Sequence, residues 1–111
     1  MIEIIITNYL AENLNVPVFN EHQENELDSF VLIDRTGGTK KNYLKTATIA
    51  FQSYAESKYK ASLLNEELKQ TIEKIEELPE ISGVHLNSDY DYTDVQTKRY
   101  RYQAVYDINY Y

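Results

Sequence analysis

The residues best able to do chemistry lie in Asp89-Tyr90-Asp91-Tyr92-Thr93-Asp94, where alternation puts two carboxylates on one strand face. Paired acids suit a divalent metal, but an oxygen-rich site needs more ligands and a turn such as the glycine of a calcium loop. Neither is present, so a solvated strand face accounts for them better. His22 sits in an acidic stretch and His85 in an alternating one, each without a partner at ligand spacing. Gly37-Gly38 followed by Lys40 and Lys41 lacks the further glycines and the helix of a phosphate cradle, and reads as a hairpin turn. Ser29, Ser53 and Ser57 have no nucleophile-elbow context. The sequence therefore implies no catalytic residue, no metal site and no cofactor.

The element that must organise the chain is Ser57–Leu78. Ala61, Leu64, Leu68, Ile72, Ile75 and Leu78 recur three or four residues apart and form one apolar stripe. Ser57 fits the N-cap and Pro79 the stop. Residues 1–14 read as a second helix, with Ile2, Ile5, Ile6, Tyr9, Leu10 and Leu14 on one face. Short alternating segments surround these helices: Val16–Asn20, Phe30–Arg35, Thr46–Tyr54, Ile81–Tyr92 and Lys98–Ile108. In the fourth, Val84, Leu86, Tyr90 and Tyr92 are expected on one face and His85, Asn87, Asp89 and Asp91 on the other. Glu21–Asp28 is a solvated loop, and Thr36–Thr39 a turn. Phe30–Arg35 is apolar on both faces, which calls for cover on both sides. The expected fold is α+β, one domain over residues 1–111, with a mostly antiparallel sheet of four to five strands and both helices on one face.

Composition narrows the function. The chain has 111 residues, a net charge of −7, eleven tyrosines and no cysteine. No disulfide framework or thiolate nucleophile is available. The acidity argues against the whole-domain attraction to phosphate behind non-specific DNA binding. No apolar run near the start is long enough to span a bilayer, and no signal-peptide pattern is visible. A protein made and assembled inside a cell is the simplest expectation.

Several short motifs occur in a telling order: Val16-Pro17-Val18, an acidic loop, the FVLIDRTGG segment (residues 30–38), a strand, a helix with Ala61 and Leu64, and the RYQAVYDI segment (residues 101–108). Together they resemble the tail terminator (tail completion, head–tail joining or "minor capsid") proteins of long-tailed phages and prophages. The resemblance covers nearly the whole chain. It departs at Asn20–Gln23, where the family pattern carries an acid followed by proline.

The resemblance implies a structural role in the virion. Such proteins form a hexameric ring that caps the tube of major tail protein and presents the surface on which the head, through its completion protein, docks. DNA passes through the lumen, so neither sequence-specific nucleic-acid binding nor membrane association is expected. By that analogy Phe30, Val31, Ile33, Arg35, Gly37 and Gly38 build the subunit contact, with Arg35 pairing a neighbour's carboxylate. Arg99, Arg101 and Tyr102 support the same ring or the docking face. Glu21, Glu24, Glu26 and Asp28 contribute a negative lumen or docking loop. The alternatives are a head completion (stopper) protein of the same junction and a small non-catalytic protein-binding module. An enzyme using Asp89, Asp91 and Asp94 would announce itself by tight metal binding lost on Asp91→Ala.

Overall fold

The computed structural model describes residues 2–41 and 44–111. Met1 of the expected first helix, and residues 42 and 43 of the segment joining two strands, lie outside them. The order is α1 (Ile2–Asn13), β1 (Val18–Phe19), β2 (Phe30–Lys41), β3 (Leu44–Ala55), α2 (Lys58–Ile72), a 3₁₀ turn (Ile75–Glu77), β4 (Ile81–Asp91) and β5 (Tyr100–Tyr110). The five strands form one sheet in the order β1-β2-β3-β5-β4. Among the described residues only the β1/β2 pair is parallel, and the other neighbours are antiparallel. This is the expected α+β arrangement.

Both helices bury their stripes against the same sheet face. Ile2, Ile6, Tyr9, Leu10 and Leu14 from the first region meet Leu64, Leu68, Ile72 and Ile75 from the second over Val31, Ile49, Phe51, Tyr106 and Ile108. Burying a side chain of this size contributes about 1.5–3 kcal/mol, so this layer dominates stability. α1 is rich in isoleucine, a modest helix former, and depends on that packing more than on propensity. Its exit is closed by Asn13 Nδ2, which donates to the Tyr9 carbonyl at 2.8 Å.

Ser57 caps α2 as expected, its hydroxyl accepting from Lys60 N at 3.2 Å. The α-helix ends at Ile72, six residues before the expected Leu78, and a 3₁₀ turn carries the chain onward. Pro79 bars any helical continuation beyond the turn, and Leu78 before it is extended at ψ 136°. The stripe survives the change, because Ile75 is still fully buried.

Three further expectations are corrected. Thr36–Thr39 is no turn: β2 runs through it to Lys41, with a register shift between Arg35 and Gly37. Neither glycine has positive φ. They sit at a bulge, where an extra residue bends the strand. The single alternation drawn for Ile81–Tyr92 also fails. β4 has register shifts between Ile81 and Gly83 and between Leu86 and Ser88; the latter leaves Val84 and Leu86 on the helix face but moves Asp89 and Asp91 there too. Tyr90, opposite Gln103, turns to the far side. The last strand begins at Tyr100, not Lys98, because Lys98 adopts φ 55° in the preceding turn.

The sheet face away from the helices is organised differently. Phe30, Leu32 and Tyr54 form a second apolar cluster with Phe19 packed on it. Beyond it the face carries three polar pairs, interrupted by Ala50 opposite Val105: Thr46 with Asn109 at 2.8 Å, Thr48 with Asp107 at 2.7 Å and Gln52 with Gln103 at 2.8 Å. Each pair joins residues directly opposite one another on β3 and β5, the spacing at which cross-strand side chains interact. The face is polar yet internally satisfied.

Candidate interaction surface

Phe30 and Tyr54 stand opposite each other on β2 and β3, and their rings stack at 4.5 Å and 10°. Phe19 approaches Phe30 at 6.1 Å, and His22 meets Tyr54 edge-on at 5.9 Å. Two guanidinium groups complete the cluster. Arg99 lies 5.8 Å from the Phe30 ring and 5.1 Å from Tyr54. Arg101 lies 5.6 Å from Tyr54 and 4.5 Å from Tyr92. It also donates from Nη1 to the Tyr54 hydroxyl at 2.7 Å and from Nε to the Tyr92 carbonyl at 2.7 Å. Cation–π contacts of this kind contribute about 0.5–1 kcal/mol at exposed sites.

Besides the His22 contact with Tyr54, the acidic loop is fastened to this cluster through Glu26. Glu26 Oε1 accepts from Arg99 Nη2 at 2.9 Å, while its Oε2 lies 2.7 Å from His22 Nδ1 and accepts from Gln23 N at 3.2 Å. Partial burial works against the charge. The hydrogen bonds from Arg99, His22 and Gln23 outweigh it and hold the Glu26 carboxyl below its usual range. Glu21, Glu24 and Asp28 remain exposed. Beneath the loop, Glu26, Asp28, Glu56, Lys98 and Arg99 line a polar cleft of about 390 Å³.

The structure thus gathers Phe30, Arg99, Arg101 and Glu26 at one end of the sheet and scatters the other expected contact residues. Phe30, Val31 and Ile33 are buried, at 0 %, 0 % and 2 % exposure, and support a surface from beneath. The cover expected from a neighbour over Phe30 and Leu32 is supplied largely by the chain itself, through Phe19 and Tyr54. Tyr102 lies opposite Asp91 and turns to the helix face, away from Arg101. Arg35 pairs with Glu3 of its own chain at 3.1 Å and donates from Nε to the Gly37 carbonyl. Gly38 packs beneath that guanidinium, where an added Cβ would lie 2.6 Å from Arg35 Nη2 and 2.9 Å from the Thr46 carbonyl.

Tyr54 and His22, central to the cluster, carry no motif of their own. Tyr54 shares the open-face parity of Thr48, Ala50 and Gln52, which is the one signal that places it there.

The acids of the 89–94 stretch are engaged. Asp89 accepts from Asn65 at 2.8 Å and pairs with Lys69 at 2.5 Å; Asp91 pairs with Lys58 at 3.1 Å and accepts from Thr93. The Thr93 hydrogen bonds, with help from Lys58, hold the Asp91 carboxyl low despite partial burial. Burial and the adjacent Glu73 push the Tyr106 hydroxyl far above its ordinary range, so it donates to that carboxylate at 2.8 Å. Among the described residues no group of three His, Asp or Glu converges as metal ligands, and no helix is long and apolar enough to cross a membrane. No protein-family profile matches the chain, and no curated protein is significantly similar to it.

Proposed function

We propose that this chain is a tail terminator of a long-tailed phage or prophage, a structural subunit that caps the tail tube as a ring and offers the joining surface to the head. The observation that carries the reading is the placement of the two segments behind the resemblance. FVLIDRTGG lies on β2 and RYQAVYDI on β5, and both pair with the same central strand, β3. Segments far apart in sequence thus act as one structural unit, as a shared architectural motif requires. The acidic loop at one end of that unit is anchored through Glu26, leaving Glu21, Glu24 and Asp28 exposed. Exposed carboxylates repel a DNA backbone that must slide past without sticking. The proposed partners are further copies of the chain, the tail tube protein and the head completion protein, with DNA contacted only in passage.

Electron microscopy of the purified protein mixed with its cognate tail tube protein tests this. Caps on tube ends, or tubes halted at uniform length, are the expected result. Tubes unchanged at saturating protein would overturn it, and attachment to head particles in their place would move the chain to the head side of the joint.

A further inference from the structure

Two strands of the sheet keep an open edge. On the side away from β3, β1 covers β2 only at Val31 and Leu32, so from Asp34 onward no strand flanks that edge among the described residues. The Val31 N–H points outward to the Pro17 carbonyl at 2.9 Å. Alternation therefore sends the backbone groups of Arg35 to the same side, beyond the reach of β1, which ends at Phe19. At the opposite edge β4 pairs with β5 alone. Its Val84 N–H is satisfied within the chain by the Glu76 carboxylate at 3.1 Å, which must give way where a second strand pairs there. Unpaired strand edges are templates for another chain.

We infer that copies of this chain join head to tail by laying the β4 edge of one copy against the β2 edge of the next. The inference rests on the ring proposed above, and names the contact that builds it. Strand direction permits it: β2/β3, β3/β5 and β5/β4 are all antiparallel, so β4 runs opposite to β2 and would continue the same alternation.

The side chains at matching levels are complementary. Leu86 lies opposite Tyr106, Tyr106 opposite Ile49 and Ile49 opposite Arg35, which puts Leu86 at the level of Arg35 and on the helix face. Leu86 is 50 % exposed. At that level on the other edge, α1 and β2 frame a groove of about 290 Å³ bordered by Ile4, Ile33 and Arg35, and Ile4 is 52 % exposed. Unstaggered pairing inserts Leu86 of one copy beside Ile4 of the next, removing two exposed aliphatic side chains from water together.

Charge agrees at the far end. Ile81 lies opposite Tyr110, Tyr110 opposite Lys45 and Lys45 opposite Lys40. The same pairing therefore brings Lys40 beside Glu80, Glu76 and Glu77 of the neighbour, none of which has a salt-bridge partner among the described residues. Because the two surfaces differ and sit on opposite edges, the contact is heterologous and propagates to a ring when the rotation closes.

The chain has no cysteine, so engineered pairs report the contact directly. Ile4→Cys and Leu86→Cys chains are mixed and mildly oxidised, alone at high concentration and on tail tubes, with Ile4→Cys plus Tyr59→Cys as control. Tyr59 is 72 % exposed on α2. All three sites are at the surface, and circular dichroism checks that each variant is folded. A disulfide dimer several-fold above the control in either condition is expected, with the double variant I4C/L86C giving a ladder that ends in a closed species. Dimer no better than the control in both conditions overturns the edge pairing. Cross-linking without tube capping sustains the pairing and removes the tail role; capping without cross-linking does the reverse.

Discussion

The Glu26 carboxylate meets the Arg99 guanidinium at 2.9 Å across 73 positions of sequence, and this pair ties the acidic loop to the open end of the sheet. Arg99 also lies over the Tyr54 and Phe30 rings, so its truncation removes more than an ion pair. Arg99 is 45 % exposed, and solvent screening limits the pair itself to less than about 1 kcal/mol. Glu26→Gln is therefore expected to cost little global stability but to raise amide exchange across residues 21–28. Arg99→Ala should do the same and lose about 1 kcal/mol further from the ring contacts. Exchange measured by mass spectrometry decides it: a loop as protected in both variants as in the parent would show that the pair does not hold it.

The same carboxyl makes the fastening pH-dependent. Its pKa is held below the unfolded value, about 4.3 for a glutamate. Such a group contributes fully above the unfolded value and loses its contribution as pH falls through the lower, folded one. Loop protection should stay level from neutral pH to about 5 and fall below about 4, ahead of the helix-side core. Glu26→Gln should abolish the step. A loop that opens only together with global unfolding would contradict this.

The helix-side layer was legible in the sequence because every buried position obeys a period. The 3.6-residue stripe of α2 and the alternation of β3 and β5 needed no other information. The failures fall where an extra residue breaks the period. One register shift, between Leu86 and Ser88, reversed the predicted faces of Asp89 and Asp91, and another kept Gly37 and Gly38 in a strand. A bulge has no strong local signature, since it is set by what the partner strand requires. The Glu26–Arg99 fastening was equally hidden, because nothing in either local stretch names a partner so distant. Arg35 shows the same limit: nothing in its own stretch names Glu3, the partner that the fold supplies within the chain.

The two adjacent glycines should respond oppositely to the same change. A Cβ on Gly38 would meet the Arg35 guanidinium at 2.6 Å and the Thr46 carbonyl at 2.9 Å. The side chain can swing away only by giving up Glu3, and the carbonyl belongs to the ladder. Gly38→Ala should therefore destabilise by about 1–3 kcal/mol, the range for forcing atoms into occupied space. A Cβ on Gly37 meets nothing within 4 Å. Gly37→Ala should be neutral or slightly stabilising, since the unfolded chain loses freedom. Urea melts of the two variants separate them, and equal losses would refute the packing argument.

Asp89 offers the sharpest separation of a structural carboxylate from a catalytic one. It accepts from Asn65, a side chain only 1 % exposed whose own Oδ1 already lacks a partner, and it pairs with Lys69. The Asp89 hydrogen bond is the main cause of the raised Lys69 pKa, followed by that of Glu66. Removing Asp89 leaves the buried Asn65 amide with no acceptor, which costs about 1–3 kcal/mol. Asp89→Ala should show that loss, Asp89→Asn much less because an acceptor remains, and Asn65→Leu in the Asp89→Ala background should recover part of it. Magnesium or manganese should leave the melting temperature of the parent unchanged, since both neighbouring acids already face lysines. A metal-dependent rise that disappears in Asp89→Ala would instead make this strand a cation site.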